Sequence, residues 1–450
     1  MALVIPFKGI LYNKERISDF SSVVAPPYDV ISGEEMVKFC GRHPRNVVRL
    51  VLGEPGERSG DNSVFYKNAA DRFRSWMADG TLVTDDAPAM YLTSVEFTLD
   101  GRRFLRNGLI AYVRLEPFAN KVILPHERTS SKVKTDRLNL SKATGANFCQ
   151  IFSLYTDPEQ VVAGTLTESV GNRPPDIDLV DDAGERHRLW RITDSRVTGR
   201  VTAALKERRL YIADGHHRYE TALNYRAWVA ENDPNFSENH AANYVMMSLS
   251  SISDPGLVIL PSHRLLLTAD PGRIEELVSR AAGYFDIREI PFDPAGRKEA
   301  ERQFRDRLRA GFMDNTFGAI INGRPVFYLL TLRPGAMEKV FGDSIPTVLR
   351  DLDVTVLTQL ILKALLGYSQ AELDEEEAIA YTSQFDRAVE SALSGKCRAA
   401  FLLNPTRSEQ VQAAAAGGEI MPRKSTYYYP KTLTGLVFSD QTRRRIAEDN

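Results

Sequence analysis

The chain has 450 residues, 43% of them hydrophobic, and a formal net charge of −2. This length predicts two or three domains with sizeable cores, and the lack of an overall basic excess argues against nucleic acid as the partner. The three cysteines, Cys40, Cys149 and Cys397, lie far apart without a CxxC spacing, which argues against a disulfide framework or a zinc ribbon.

The sequence shows no targeting or membrane signal. Residues 1–6 carry no basic group and form an apolar run that is too short for a signal peptide. No apolar run reaches the roughly 18 residues that a membrane-spanning helix needs. We therefore expect a cytoplasmic protein with no membrane partner.

The first part of the chain has mixed α/β character. Residues 46–52 have the apolar composition of a strand, and the Asp-Gly pair at residues 100–101 separates two apolar runs that predict a hairpin. A Pro-Pro pair fixes an extended backbone ahead of Asp29. We predict an α/β domain with mixed sheets and insertions over residues 1–266.

A basic, hydroxyl-rich stretch occupies residues 126–142. It contains five lysine or arginine residues and two acidic ones, in a chain that is nearly neutral overall. Such a charge run is often only a solvated surface, but cations and hydroxyl groups also bind polyphosphate, and a carboxylate can accept a proton. The residues of interest are His126, Glu127, Arg128, Thr129, Ser130, Lys132, Lys134 and Arg137.

The functional prediction depends on a strand-to-helix turn at residues 214–218, with the sequence Asp-Gly-His-His-Arg. The apolar residues 210–213 are typical of a strand, and apolar residues then recur at helical spacing. Glycine lets the backbone approach a ligand, and the first N–H groups of a helix favour an anion. Asp214 and Arg218 can share a helix face and offer a metal ligand or base beside a phosphate clamp.

An ordinary structural role is the alternative for this turn. An Asp-Gly pair is common in turns, aspartate can cap a helix, and a histidine can simply pack. Cations in the first turn of a helix, however, oppose its dipole unless an anion is present. The adjacent His216 and His217 point apart, so they are not expected to bind one metal together. We interpret residues 214–218 as a phosphate-binding turn.

The second half of the chain adds further polar groups. A strand there ends in His263 and Arg264, and strand ends of an α/β sheet can meet at one crevice. From residue 267 the composition changes, and we predict a second α/β domain over residues 267–450 for packing, dimerisation or substrate closure. A long helix is predicted at residues 345–366. The basic, aromatic loop at residues 421–431 could cover a phosphate, but a surface loop is favoured.

Five short motifs together resemble a known family. They are Ala-Pro-Pro-Tyr-Asp-Val-Ile at residues 25–31, Pro-His-Glu-Arg-Thr at 125–129, Ala-Asp-Gly-His-His-Arg-Tyr at 213–219, Leu-Pro-Ser-His-Arg at 260–264 and Met-Pro-Arg-Lys-Ser-Thr at 421–426.

This combination resembles the bacterial and archaeal DUF1015 family over nearly the whole chain. The turn also looks like the phosphate-binding turn of the ParB/sulfiredoxin-like superfamily, to which free-serine kinases belong. The resemblance implies a ParB/sulfiredoxin-like N-terminal fold. It also implies phosphoryl transfer from ATP or ADP to the hydroxyl of free L-serine, giving O-phosphoserine.

The sequence differs from the motifs of several related protein classes, and these differences exclude or disfavour their chemistry. His216 stands where sulfiredoxin would carry its nucleophilic cysteine, which excludes that chemistry. The Gly-Glu-Arg-Arg turn of ParB-type clamps is not present, and no GxxxxGK[ST] motif occurs, which disfavours a P-loop kinase.

The implied reaction gives the residues of the turn their roles. We expect Gly215, His216 and His217 to bind the donor phosphates through backbone N–H groups. Arg218 is expected to neutralise charge in the transition state. Asp214 is expected to hold Mg²⁺, which prefers carboxylate and phosphate oxygens.

Other residues are assigned to the acceptor and to outer phosphate contacts. Glu127 is the candidate base for the serine hydroxyl, with His126 as its competitor. Further contacts are expected to the phosphates from Lys132, Lys134 and Arg137, and to the serine substrate from Asp29, His263 and Arg264.

Two other classes of function stay open. A non-catalytic nucleotide-binding regulator or nucleic-acid module would bind nucleotide without turnover, or bind DNA or RNA with a steep salt dependence. A metal-dependent phosphohydrolase would use Asp214 and the histidines. The expected partners are a nucleotide and a small amino acid; nucleic acid is not expected, and a homodimer is compatible with the second domain.

Overall fold

The computed structural model describes residues 1–58, 62–127, 129, 131–374, 378–444 and 446. Arg128 and Ser130, which belong to the predicted basic stretch, lie outside the described residues. The predicted mixed α/β class is confirmed, because strands in several sheets alternate with helices along the chain. Within these ranges, no helix combines the length and the apolar character needed to cross a membrane.

The strands are short to medium in length and are numbered here in chain order. They are β1 (Val4–Ile5), β2 (Ile10–Tyr12), β3 (Leu82–Thr84), β4 (Met90–Leu99), β5 (Arg102–Arg114), β6 (Ile123–Leu124), β7 (Ala146–Asn147), β8 (Ile151–Tyr155), β9 (Ile177–Val180), β10 (Arg186–Ile192), β11 (Leu210–Asp214), β12 (Tyr244–Ser251), β13 (Val258–Leu260), β14 (His263–Leu266), β15 (Phe285–Pro291), β16 (Thr316–Ile321), β17 (Val326–Leu332), β18 (Ile379–Thr382), β19 (Ala399–Leu402), β20 (Tyr427–Tyr429) and β21 (Ser439–Asp440).

The α-helices are numbered in the same way. They are α1 (Gly33–Arg42), α2 (Val48–Val51), α3 (Ser63–Ala78), α4 (Ser131–Thr144), α5 (Val161–Val170), α6 (Ser195–Lys206), α7 (His216–Asn232), α8 (Pro271–Ala281), α9 (Arg297–Ala310), α10 (Ala336–Phe341), α11 (Thr347–Arg350), α12 (Asp353–Thr355), α13 (Gln370–Asp374), α14 (Phe385–Leu393) and α15 (Ser408–Gly417). A π-helix follows α12 at Val356–Leu365.

The chain forms two compact units. The first unit comprises Met1–Pro125, Thr129–Val258 and Pro430–Asn450, and the second comprises His126–Arg128 and Ile259–Tyr429. The division falls after Val258 rather than after residue 266, because β14 hydrogen-bonds to β18 and β19 in the sheet of the second unit. The last strand, β21, pairs with β7 in the first unit. That residues 1–266 and 267–450 fold as separate domains stays a prediction.

The first unit is built on a large mixed sheet with the strand order β6-β11-β8-β12-β5-β4-β10-β9, and β1 pairs with β5. The predicted hairpin is confirmed, since β4 and β5 pair antiparallel up to Leu99 and Arg102 around a two-residue turn. Both turn residues have positive φ, 48° at Asp100 and 76° at Gly101, as such tight hairpins require.

The position of β11 in this sheet explains the geometry of the predicted turn. β11 pairs in parallel with β6 and antiparallel with β8, so its backbone is held on both sides. Its residues up to Ala213 are buried in the core, where their apolar side chains stabilise the strand. The chain therefore leaves the sheet at Asp214 in a fixed direction and enters α7 directly.

The second unit contains a sheet with the strand order β15-β17-β16-β19-β14-β18. Its largest apolar core joins this sheet to α8, α15 and the π-helix, whose buried residues include Leu357, Leu360 and Ile361. β14, which carries His263 and Arg264, lies between β18 and β19. Both side chains are therefore held in the interior of the sheet.

Two predictions of secondary structure are wrong. Residues 46–52 contain the helical turn α2 instead of a strand, because the Asn46 side chain accepts the Val48 N–H at 2.9 Å and donates to the Ser22 carbonyl at 2.8 Å. A short apolar run fits a buried helical turn as well as a strand.

The predicted long helix at residues 345–366 is divided into α11, α12 and the π-helix. The division has a local cause: Leu352 has extended backbone angles, with φ −81° and ψ 130°, and forms the N-cap of α12. The apolar pattern of residues 345–366 indicates that the segment is buried, but it does not predict the interruption at Leu352.

Candidate functional site

The turn at residues 214–218, called here the Asp214 turn, joins β11 to α7. Gly215 is the N-cap of α7 and has a φ of 94°, which is in the left-handed region that favours glycine. A Cβ atom at Gly215 would lie 2.8 Å from Arg218 Nε and 2.9 Å from its Cζ. Glycine is therefore required here both by the backbone and by the arginine that folds back across it.

The Asp214 carboxylate accepts hydrogen bonds from two cations. Arg218 Nη2 donates to Oδ2 at 2.6 Å, and Lys431 Nζ donates to Oδ1 at 2.9 Å. The side chains of Asp214 and Lys431 are mostly buried, so these bonds are stronger than ion pairs at the surface. Each carboxylate oxygen is thus engaged by a positive group.

Arg218 is 7% exposed and is held at several points. Its Nη1 donates to the Gln150 carbonyl, and its Nη2 to Asp214. Burial alone would lower the pKa of Arg218, but the carboxylates of Asp214 and Asp29 outweigh burial and raise the pKa above its usual value. The guanidinium is therefore a fixed positive charge beside the start of α7, and Asp29 lies within its electrostatic reach.

The N-terminus of α7 has the features of an anion-binding end. The N-cap is a glycine, which supplies no capping side chain, and the helix is 17 residues long. The N–H groups of the first turn have no intrahelical acceptors and lie at the positive end of the helix dipole. The His216 side chain is buried, whereas His217 is partly exposed.

A small cavity of about 50 Å³ lies beside the turn in the first unit. Arg218, Arg137 and Tyr28 are among the residues that line it. Arg137 is already bound by protein groups, because its Nη1 donates to the Val51 carbonyl at 2.8 Å and its Nε to Asp136 at 2.9 Å. Its role as a phosphate contact stays a prediction.

The two lysines predicted to contact phosphate differ in their surroundings. Lys132 is exposed on α4. Lys134 Nζ donates to Glu220 Oε2 at 2.5 Å, and Thr129 Oγ1 donates to Glu220 Oε1 at 2.8 Å. Glu220 belongs to α7, so Lys134 ties α4 to the helix that follows the Asp214 turn.

In the second unit, the candidate base contacts the loop at residues 421–426. Glu127 Oε1 accepts the Ser425 N–H at 3.0 Å. His126, which is fully buried, has Nε2 within 3.1 Å of Thr426 Oγ1, and its carbonyl accepts the Met421 N–H at 2.8 Å. The favoured interpretation of this segment as a surface loop is wrong, because Met421 and Ser425 are buried and hold two predicted site residues.

The side chain of His263 is buried and bonded to the protein backbone. Its Nδ1 accepts the Leu403 N–H at 3.1 Å, which fixes the tautomer with the proton on Nε2. Burial, reinforced by the Arg264 charge, lowers the pKa of His263 to about 3. The side chain is therefore neutral near pH 7, and the predicted contact with substrate is not apparent in its bonds.

Arg264 is a buried cation at the wall of a large cavity. It is 2% exposed, and its Nη2 donates to the carbonyls of Lys424 at 3.1 Å and Arg423 at 3.4 Å. Its guanidinium lies 5.4 Å from the centre of the Tyr381 ring. Burial lowers the pKa of Arg264, while Tyr381 and Glu127 act in the opposite direction. The cavity that it lines has a volume of about 460 Å³.

The predicted site residues thus fall into two groups. The first unit holds Asp29, Lys132, Lys134, Arg137, Asp214, Gly215, His216, His217 and Arg218, and the second holds His126, Glu127, His263 and Arg264. The predicted convergence of the two groups on one crevice stays a prediction, as do the individual roles.

Sequence reasoning missed two features of the first unit. Lys431 was seen only as the end of a basic loop, and no local signal linked it to Asp214, 217 residues earlier. Asp181, Glu185 and His187 present ligand atoms within 4.8 Å of one another at the turn between β9 and β10. Their spacing on a hairpin was the available signal, and these residues could hold a metal ion.

The solved structures that resemble the chain do so weakly. A free serine kinase variant in complex with AMP is 11% identical, with a TM-score of 0.34, and the match covers 71% of this chain and 87% of that chain. SbnI with a C-terminal truncation, from Staphylococcus aureus, is 10% identical, with a TM-score of 0.33 and coverage of 71% and 85%. A conserved hypothetical protein from Pyrococcus furiosus is 12% identical, with a TM-score of 0.32 and coverage of 71% and 90%. Likeness at this level assigns no activity.

The match to a protein family is more extensive. No curated protein matches the chain. The family model described as protein of unknown function DUF1015 matches residues 4–355, which is well over half of the 450 residues. The chain therefore belongs to the DUF1015 family.

Proposed function

We propose that this protein is a phosphotransferase that binds the phosphates of ATP or ADP at the Asp214 turn and transfers a phosphoryl group to the hydroxyl of free L-serine. One observation carries the proposal: a glycine with positive φ leads into the uncapped N-terminus of α7 beside the buried charge of Arg218. Helix N–H groups and a fixed guanidinium are the groups that phosphoryl transfer uses to stabilise charge.

In this proposal, Arg218 contributes through its fixed position. Because Asp214 and the Gln150 carbonyl already orient the guanidinium, little reorganisation is needed when negative charge develops. Gly215 keeps the space above the guanidinium open and lets the backbone approach the phosphates.

The donor set at the turn limits how Mg²⁺ would bind. Mg²⁺ commonly uses one or two carboxylates together with substrate phosphates, and Asp214 is one such carboxylate. Since Lys431 occupies Oδ1, Asp214 would hold the ion only after Lys431 moves its contact to a phosphate oxygen. Bound Mg²⁺ would neutralise phosphate charge, while Lys431 would remain close enough to contribute a second cation.

The acceptor side of the proposal rests on the sequence. Glu127 would accept the serine proton, with His126 as the competing base, and Arg264 and Asp29 would bind the carboxylate and ammonium groups. The bond from the Ser425 N–H to Glu127 would hold the carboxylate in one orientation. His263 would position Arg264 through their shared strand.

The proposal is tested by incubating the purified protein with Mg²⁺, L-serine and either ATP or ADP, and measuring O-phosphoserine by mass spectrometry. We expect product with one of the two donors and none without enzyme. Arg218→Lys keeps a positive charge but loses the fork of donors, so it should lower the rate by about 100-fold or more. Absence of product with both donors would contradict the kinase proposal.

A non-catalytic nucleotide-binding role is the second candidate. It is favoured by the two ion pairs that already occupy the Asp214 oxygens, since a carboxylate engaged in this way is less available to a metal. In that case, nucleotide would bind at the Asp214 turn without consumption of either ATP or ADP. Titration calorimetry combined with the product assay separates the two roles.

A further inference from the structure

The cavity of about 460 Å³ in the second unit has the size and composition of a small-molecule site. Pockets that bind ligands commonly measure 300–1,000 Å³ and combine apolar walls with a few polar groups. The apolar wall here includes Leu349, Leu362 and Ile379, and the polar groups include Arg264 and Lys363.

One wall is formed by the π-helix at Val356–Leu365. Thr358, Gln359, Leu362 and Lys363 all line the cavity from this helix. Helices of this type are rare and occur frequently at functional sites. Ten residues in this conformation are an unusual structural feature, and their position at a cavity of about 460 Å³ points to binding.

The charged groups on the cavity wall are unevenly neutralised. Arg264 donates only to carbonyl groups and has no ion pair with a carboxylate among the described residues. Lys363 also has no ion pair within that part of the chain. Arg423 and Glu419 are the other charged residues that line the cavity. The cavity therefore carries an excess of positive charge together with one acidic group.

This pattern fits a small amino acid better than a polyphosphate. The planar guanidinium of Arg264 matches the geometry of a carboxylate, and Glu419 offers a partner for an ammonium group. A polyphosphate would meet the Glu419 carboxylate unfavourably and would need more cations than the wall supplies. Gln359 can donate to or accept from a polar side chain of the ligand.

The Thr355 hydroxyl is also available to a ligand. Thr355 lines the cavity, and its buried Oγ1 has no hydrogen-bond partner among the residues that the structure describes. A buried polar group without a partner costs free energy, so a rotation of this side chain toward a bound ligand would gain a bond without breaking one.

We propose that this cavity binds a free α-amino acid, with the carboxylate at Arg264 and Lys363 and the ammonium group at Glu419. This inference deepens the acceptor side of the proposed function, from which it takes Arg264 as the carboxylate partner, and it assigns the ammonium group to Glu419 instead of Asp29. Binding without nucleotide tests it separately from phosphoryl transfer. It concerns the second unit alone and would hold if the Asp214 turn bound nothing.

The test is titration calorimetry of the full chain without nucleotide, using L-serine, L-glutamate and inorganic pyrophosphate as separate probes. We expect at least one amino acid to bind and pyrophosphate to bind more weakly. Lys363→Gln should weaken amino-acid binding by about tenfold, which is typical of a lost charge-assisted hydrogen bond. Lys339→Gln is the matched control, because Lys339 is exposed on α10 and does not line the cavity.

Each result decides the proposal. Amino-acid binding that is weakened in Lys363→Gln and unchanged in Lys339→Gln supports it. Tighter binding of pyrophosphate overturns the ligand class, equal effects of the two substitutions overturn the location, and no binding of either amino acid overturns the site. Lys363 is partly exposed, so its replacement should leave the fold intact; circular dichroism of both variants checks this.

Discussion

The Asp214 turn and the cavity beside Arg264 both contain buried arginines, but their charges are balanced differently. Arg218 shares one carboxylate with Lys431 and borders a cavity of only about 50 Å³. Among the described residues, Arg264 donates hydrogen bonds to carbonyl groups alone, and it borders a cavity of about 460 Å³. The first arrangement pairs the buried arginine directly with a carboxylate, whereas in the second the Glu127 carboxylate acts on Arg264 only through its charge.

This difference separates a preorganised site from an open one. A guanidinium that is oriented by a carboxylate contributes to catalysis by holding its position, and its removal is costly to the fold as well. A guanidinium at an open cavity contributes by binding, and its neighbours can be changed at little cost. Substitutions in the two regions should therefore separate stability from binding.

The largest expected effect follows from Asp214→Ala. The change leaves the buried Arg218 and Lys431 without their shared carboxylate, and removing one partner of a buried pair costs about 3–5 kcal/mol. We expect a loss of this order in urea unfolding and no detectable phosphoryl transfer. Asp286→Ala is the control, because Asp286 pairs with Arg333 at the surface of the second unit, where a pair contributes at most about 1 kcal/mol. Equal losses in the two variants would contradict the account.

The next effect concerns the backbone at the turn. Gly215→Ala places a Cβ at a φ of 94° and against the Arg218 guanidinium, so we expect a loss of about 2–3 kcal/mol from strain and displacement of the arginine. Gly101→Ala has a similar φ of 76° but open space around the added atom, and it should cost only about 1 kcal/mol. Thermal or urea unfolding measures both. A larger loss in Gly101→Ala would show that contact with Arg218 is unimportant.

A smaller effect should depend on pH through His263. Its folded pKa of about 3 lies below the unfolded value of about 6.5, so the unfolded chain binds the proton first. The contribution of neutral His263 to the free energy of unfolding is fully present above about pH 6.5 and is lost as the pH falls toward 3. About 2 kcal/mol of it is lost between pH 7 and pH 5. His263→Asn should remove this share of the pH dependence. If the stability of the unmodified protein and of His263→Asn changed in parallel between pH 7 and pH 5, the assignment of this pH dependence to His263 would be contradicted.

The smallest effect is expected on α4. Lys134→Gln removes the ion pair with Glu220 and should cost no more than about 1 kcal/mol, because both side chains are partly exposed. Lys132→Gln changes an exposed residue and should leave the stability unchanged within about 0.5 kcal/mol. If Lys132 contacts phosphate as predicted, Lys132→Gln should nevertheless bind nucleotide more weakly than the unmodified protein does. Unchanged nucleotide affinity would remove that assignment.

Structure that depends on neighbouring residues was the most predictable from the sequence. The turn was predictable because a buried strand, a glycine and a helix follow one another within a few residues, and the hairpin at residues 100–101 was predictable for the same reason. Residues 46–52 were misjudged because the side-chain bonds of Asn46 decide their conformation, and these depend on the distant Ser22.

The charge balance of the site was less accessible from the sequence. The spacing of Asp214 and Arg218 indicated a shared helix face, and they do form an ion pair. The contact of Lys431 with Asp214 arises because the last segment of the chain returns to the first unit. Likewise, the bonds of Arg264 to residues 423 and 424 depend on the path of a loop whose composition suggested an exposed segment.

The most direct measurement of the central claim is the dissociation constant for ADP and for ATP with Mg²⁺, determined by titration calorimetry. It should be compared between the unmodified protein, Gly215→Ala and Gly101→Ala. We predict that one nucleotide binds the unmodified protein and Gly101→Ala equally, and binds Gly215→Ala at least tenfold more weakly. Equal affinity in all three proteins would contradict the claim that the Asp214 turn binds the phosphates.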